Sequence, residues 1–139
     1  PTPPRLGARD VVRVEPDGRI WFQGRKSHRL ETVLGSLPCV PTENAFNTHA
    51  RVHRSALVGV GPRGEQRPVI VVECEGGLPP VSEREALGAD LLRHARALTP
   101  VAERVERVLF HPRFPVDVRH NAKVHRLELR DWAAGRLAR

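Results

Sequence analysis

Two apolar runs a few residues apart constrain this chain more than anything else in it. Ser55-Ala56-Leu57-Val58-Gly59-Val60 and Val69-Ile70-Val71-Val72 are nearly continuous in apolar residues, and the turn Gly61-Pro62-Arg63-Gly64 follows the first. Short runs rich in β-branched residues read as strands, and the lack of polar alternation says that neither face meets water. The two should pair at the centre of a sheet. Whatever else the chain forms has to cover both sides of that sheet.

The surrounding sequence supplies the cover. Residues 1–8, PTPPRLGA, hold three prolines and no periodic pattern, which reads as an unstructured junction. Val11–Glu15 and Arg19–Gln23 flank Pro16-Asp17-Gly18 and predict a β-hairpin. Gly24-Arg25-Lys26-Ser27 breaks the pattern, a polar interruption suited to a pivot, and Arg29–Val33 is extended again. Gly35–Pro41 reads as a loop, with Thr42 capping a short helix that runs to about His49. Ser82 and Glu85 form a capping box opening a helix to about Leu98, with Leu87, Leu91, Ala95 and Leu98 on one stripe. Thr99-Pro100 ends it, a short helical turn follows, and Arg104–Phe110 is a third strand. His111–Ala122 is a loop before a last helix to about Leu137, in which Val124, Leu127 and Trp132 share a face and Gly135 is a weak point. The expectation is an α+β fold: a small three-stranded sheet covered by helices, with an N-terminal β-hairpin to one side.

Composition narrows the partners. With 139 residues the chain suffices for one core. Lys and Arg outnumber Asp and Glu by 23 to 16, a net charge of +7. That charge is spread along the chain, and four Phe and two Trp offer few stacking surfaces, so nucleic acid is not an expected partner. Cys39 and Cys74 lack metal-binding spacing, and no signal peptide or transmembrane segment is read in the sequence. A cytoplasmic setting with reduced thiols is expected, although spacing leaves a single disulfide open.

Chemistry is concentrated in Pro115–Arg126, PVDVRHNAKVHR. Lys123 follows a polar loop carrying His120 and Asn121 and lies just before the last helix, where an ammonium on a long stem suits a carboxylate or phosphate oxygen. His49 with His53, and His120 with His125, do not share a helical face, so no metal site is expected. Asp10 and Arg25 read, from the residues alone, as an ion pair holding the hairpin, and Glu43 as a carboxylate favouring a helix dipole.

Four elements in this order resemble the C-terminal subdomain of the adenylate-forming superfamily, which includes acyl-CoA synthetases, firefly luciferases and peptide-synthetase adenylation domains. Ala8-Arg9-Asp10 resembles its T-G-D element, which implies that Asp10 binds the ribose hydroxyls of ATP. Asp17–Arg25 resembles a D-G-x-x-x-x-x-G-R run, implying that Arg25 contacts the nucleotide and that Lys26 and Ser27 form the hinge. Pro41-Thr42-Glu43 resembles a P-x-E segment, and Asn121-Ala122-Lys123 the S/N-G-K element whose lysine bridges the acid and the α-phosphate. Arg9, Ser27 and Ala122 depart from the family pattern. The strings GRIWFQGRKSHRLET and FPVDVRHNAKVHR resemble one branch, the β-lactone synthetases of bacterial long-chain olefin biosynthesis.

This resemblance implies a division into a junction (1–8), a hairpin and hinge region (9–26) and a mobile lid (27–139). It implies ATP and Mg²⁺ as cofactors, bound mainly by a large N-terminal adenylation portion that this sequence does not contain. It implies activation of a 2-alkyl-3-hydroxy fatty acid as acyl-AMP, closed to a β-lactone by the acid's own hydroxyl, with other olefin-pathway enzymes as further partners. An acyl-CoA synthetase that forms a thioester, or a docking module without chemistry, are the alternatives. In either ligase reading the isolated chain is inactive.

Overall fold

The computed structural model describes residues 10–137 except 15, 19, 26–28, 118–122 and 125. Its centre is a three-stranded sheet. Strands β5 (Val52–Val60) and β6 (Arg67–Cys74) are antiparallel, and β7 (Arg107–Phe110) lies parallel to β6 on its other side. Leu57 faces Ile70, Val58 faces Val69 and Ala56 faces Val71. Because strand side chains alternate, this register sorts the apolar run into two cores. Leu57, Ile70 and Val72 pack with Phe46, Leu91, Ala95 and Val105 on one side. Ala56, Val58, Val69 and Val71 pack with Phe114, Leu129 and Ala133 on the other.

Helices α1 (Cys39–Asn47) and α2 (Val81–Leu98) cover the first side and α3 (Arg126–Leu137) the second. Helix α2 and a 3-10 turn (Pro100–Arg104) make the crossover that two parallel strands require. Ahead of them, β1 (Asp10–Val14) and β2 (Ile20–Arg25) form the expected hairpin, turned at Gly18, whose φ of 91° suits glycine. The fold is thus α+β, with three strands covered by helices and a hairpin alongside, as the residues predict.

Local capping is where sequence and structure part. Helix α1 begins at Cys39 after Pro38, so Thr42 is buried inside it and does not cap it. Pro41 is tolerated because first-turn N–H groups have no helical acceptor to lose. Likewise α2 opens at Val81 after Pro80 with no side-chain cap bond, so Ser82 and Glu85 form no capping box. Gly35–Leu37 is a strand (β4), paired with β3 (Leu30–Thr32), where a loop was expected. Leu91 and Ala95 are fully buried on α2, whereas Leu98, expected on the same stripe, is exposed at the helix end.

Candidate functional site

The segment with Lys123 is short ribbon, not plain loop. Val116–Asp117 (β8) pairs antiparallel with Lys123–Val124 (β9), Asp117 opposite Lys123 and Val116 opposite Val124. Lys123 therefore stands in a strand, with α3 starting at Arg126, and Val124 does not join the helical face with Leu127 and Trp132. Leu127 is exposed; the buried positions of α3 are Leu129 and Ala133, four apart, with Trp132 half-buried beside them. His120, Asn121 and Ala122 lie outside the described residues.

Both ends of this segment are tied to buried carboxylates. Ahead of it, the Phe114 N–H donates to Glu73 Oε1 (3.2 Å), and Arg54 Nε donates to Glu73 Oε2 (2.5 Å). Behind it, Arg126 grips Glu43 through two hydrogen bonds, Nη1 to Oε2 (2.6 Å) and Nη2 to Oε1 (2.8 Å). Glu43 Oε2 also accepts the Leu57 N–H at 2.7 Å. Glu43 and Glu73 are 7% and 6% exposed, too little for water to solvate them, so each charge needs the donors it has. Burial disfavours the charged form of Arg126, but the hydrogen bonds and charge of Glu43 outweigh it and move the guanidinium pKa upward. Glu43 is thus no helix-dipole carboxylate at a first turn; it is the fifth residue of α1 and joins α1, β5 and α3.

Above Phe114, the His111 ring lies 4.6 Å from Trp132 and 5.9 Å from Phe114, centroid to centroid. Its Nδ1 accepts the Arg113 N–H at 3.1 Å. Burial pushes the His111 pKa down, against the pull of Glu73.

The other predicted site residues fall on the hairpin. Asp10 and Arg25 are direct register partners at the open end of β1 and β2, so the fold brings them together on the backbone. Lys123 belongs to a separate sheet. The hinge residues Lys26 and Ser27 lie outside the described residues. His49 bonds Asp90 (2.9 Å) and His53 bonds Glu75 (3.1 Å), so the two imidazoles are committed to different carboxylates. Among the described residues no cluster of three His, Cys, Asp or Glu is arranged to hold a metal ion, and no helix is long and apolar enough to cross a membrane.

A small α+β unit of this topology, three helices with small sheets, is the C-terminal domain fold of adenylate-forming ligases. Among solved structures, the anthranilate CoA ligase AuaEII in complex with anthranoyl-AMP matches with a TM-score of 0.77 and 23% identity, over 96% of this chain and 25% of that one. Apo MatB from Rhodopseudomonas palustris matches with a TM-score of 0.71 and 18% identity, over 91% and 24%. No protein-family model matches the chain.

Sequence narrows the class. The chain is 46% identical over 94% of its length to an olefin β-lactone synthetase of Xanthomonas campestris pv. campestris. It is 47% identical over 96% of its length to that of Stenotrophomonas maltophilia. It spans 23% of the length of each of these relatives. The resemblance carried by the four sequence elements and the two signature strings is borne out.

Proposed function

We propose that this chain is the mobile lid of an ATP-dependent adenylate-forming ligase that activates a 2-alkyl-3-hydroxy fatty acid as acyl-AMP and closes it to a β-lactone. The observation that carries the reading is 46% and 47% identity to two olefin β-lactone synthetases along nearly the whole chain. On this reading residues 27–139 form the lid, residues 9–26 the hairpin and hinge region pivoting at Lys26 and Ser27, and residues 1–8 the junction. A large N-terminal portion is the lid's partner and supplies the acyl pocket, and the enzyme works in the cytoplasm, in contact with other enzymes of the olefin route.

The chemistry assigned to each residue follows from its donor set. Asp10 offers a carboxylate that accepts bonds from ribose hydroxyls, and Arg25, opposite it in the hairpin, offers a planar donor to the nucleotide. Lys123 brings a positive charge to the oxygens shared by the carboxylate and the α-phosphate, where charge crowds as they approach. On this reading ATP and Mg²⁺ are held mainly by the N-terminal portion. Lactone closure then needs no external thiol: the acid's own hydroxyl attacks the activated carbonyl and AMP leaves. An intramolecular nucleophile has a high effective concentration, which helps to offset ring strain.

The test uses the full-length parent enzyme with a long-chain 2-alkyl-3-hydroxy acid, ATP and Mg²⁺, without coenzyme A. The expected product is the acid less one water, with AMP released. The shared fold of the anthranilate and benzoate CoA ligases favours a second reading, acid–thiol ligation. Stalling at the adenylate until coenzyme A yields a thioester establishes that second reading instead.

A further inference from the structure

We infer that Glu43 and Glu73 are positioning residues for adenylation, acting through the segment that carries Lys123; the inference rests on the reading of Lys123 given above. Glu73 on β6 holds the Phe114 N–H, immediately before the β8–β9 ribbon, and Glu43 on α1 holds Arg126, three residues after Lys123. They are the two acidic side chains buried among the described residues, and each braces one end of the same segment.

Placing charge inside a domain is a poor way to gain stability. An apolar pair of similar volume usually serves as well or better, because two charges lose their water. Such a pair does fix geometry: the bidentate grip of Arg126 on Glu43 admits one relative orientation of guanidinium and carboxylate. The Leu57 N–H locks the same carboxylate to β5, while Arg54 locks Glu73 within the β5–β6 ladder. The ends of the lysine segment are therefore referenced to the central sheet, the most deeply buried part of the fold. Between them the chain has β8 and β9 for support, a ribbon of two residues a side. A lysine that must arrive within a fraction of an ångström of two oxygens on closure needs that reference, since misplacement by about 1 Å costs roughly 100-fold in rate.

The experiment measures pyrophosphate release in the adenylation half-reaction of the full-length parent enzyme, with melting temperatures alongside. Glu43→Gln keeps an acceptor for Leu57 but loses the ionic grip on Arg126, and the expected result is a kcat about 10- to 100-fold lower with KM nearly unchanged. Arg126→Lys, the milder variant if Glu43→Gln does not fold, falls in between because an ammonium cannot make both bonds in one plane. Two comparisons separate positioning from plain stability. In a Lys123→Ala background, Glu43→Gln costs little further rate, since its effect has nothing left to act through. Leu91→Ala, which truncates the core under α2 far from the ribbon in sequence, lowers the melting temperature without a matching loss of kcat. Equal losses from Glu43→Gln in the two backgrounds, or a Leu91→Ala rate loss tracking melting temperature in the same proportion, overturn the inference and leave Lys123 untouched. Full adenylation by Lys123→Ala alone overturns the role given to Lys123, and this inference with it.

Discussion

At the scale of single residues, Cys39 reports on the Glu43–Arg126 pair. Its Sγ lies 3.6 Å from the Leu57 carbonyl, the residue whose N–H Glu43 holds. Burial, then the Glu43 charge, push the thiol pKa up to about 12, with Arg126 pulling the other way. The folded state therefore keeps a proton that an unfolded cysteine releases near pH 8.5. The stability from burying the neutral thiol is complete below that value and is lost as pH rises toward 12. At pH 8 iodoacetamide is expected to label Cys39 in the native chain only as fast as the protein opens, and rapidly in urea; mass spectrometry of the peptide decides. Fast native labelling would mean that this junction is open to water. None of this was legible in the residues. Glu43 and Arg126, whose charges act on Cys39 in opposite directions, are far apart in the chain. Asp10 and Arg25 were legible as a pair because a hairpin turn fixes which residues meet.

At the scale of elements, the β3–β4 ribbon depends on a glycine. Gln66 reaches from the end of the β5–β6 turn to accept the Glu31 N–H at 2.9 Å, and Gln66 N–H donates to the Glu31 carbonyl at 3.1 Å. This side chain crosses Gly59, where a Cβ would come within 2.9 Å of Gln66 Cβ. Gly59→Ala is expected to push Gln66 aside and cost about 1–3 kcal/mol. Denaturant titration measures the loss, and faster hydrogen exchange at Glu31 shows where it falls. An unchanged midpoint would mean that Gln66 has a second resting place. The same element explains why Gly35–Leu37 looked like a loop. Its pairing partner is local, β3 lying just across Val33 and Leu34, but its anchor is tertiary: Arg104, from the 3-10 turn, donates to the carbonyls of Gly35 (3.0 Å) and Ser36 (3.2 Å) and also bonds Thr32 Oγ1. The helix starts differ from expectation for a related reason. Pro38 and Pro80 start α1 and α2 by their extended backbone, with no side-chain cap, so Thr42 and Ser82 were left to other surroundings.

At the scale of the molecule, a chain spanning 23% of its relatives' length has its own two-sided core but only part of the proposed machinery. The separate chain is expected to melt cooperatively by circular dichroism, since both faces of its sheet are covered, yet to release no pyrophosphate from ATP and acid. Turnover by the chain alone would place the acyl and phosphate sites within it and refute the lid reading. Hydrophobic pattern by itself determined the strand pair, the hairpin, the three helices and the α+β class, because period and burial are local consequences of which residues are apolar. The order of four short elements determined the superfamily. Only the tertiary structure decided that the lysine segment is a ribbon, and that Glu43 and Glu73 hold its two ends. Those bonds join residues remote in the chain, and their strength comes from burial that no local stretch of sequence can produce.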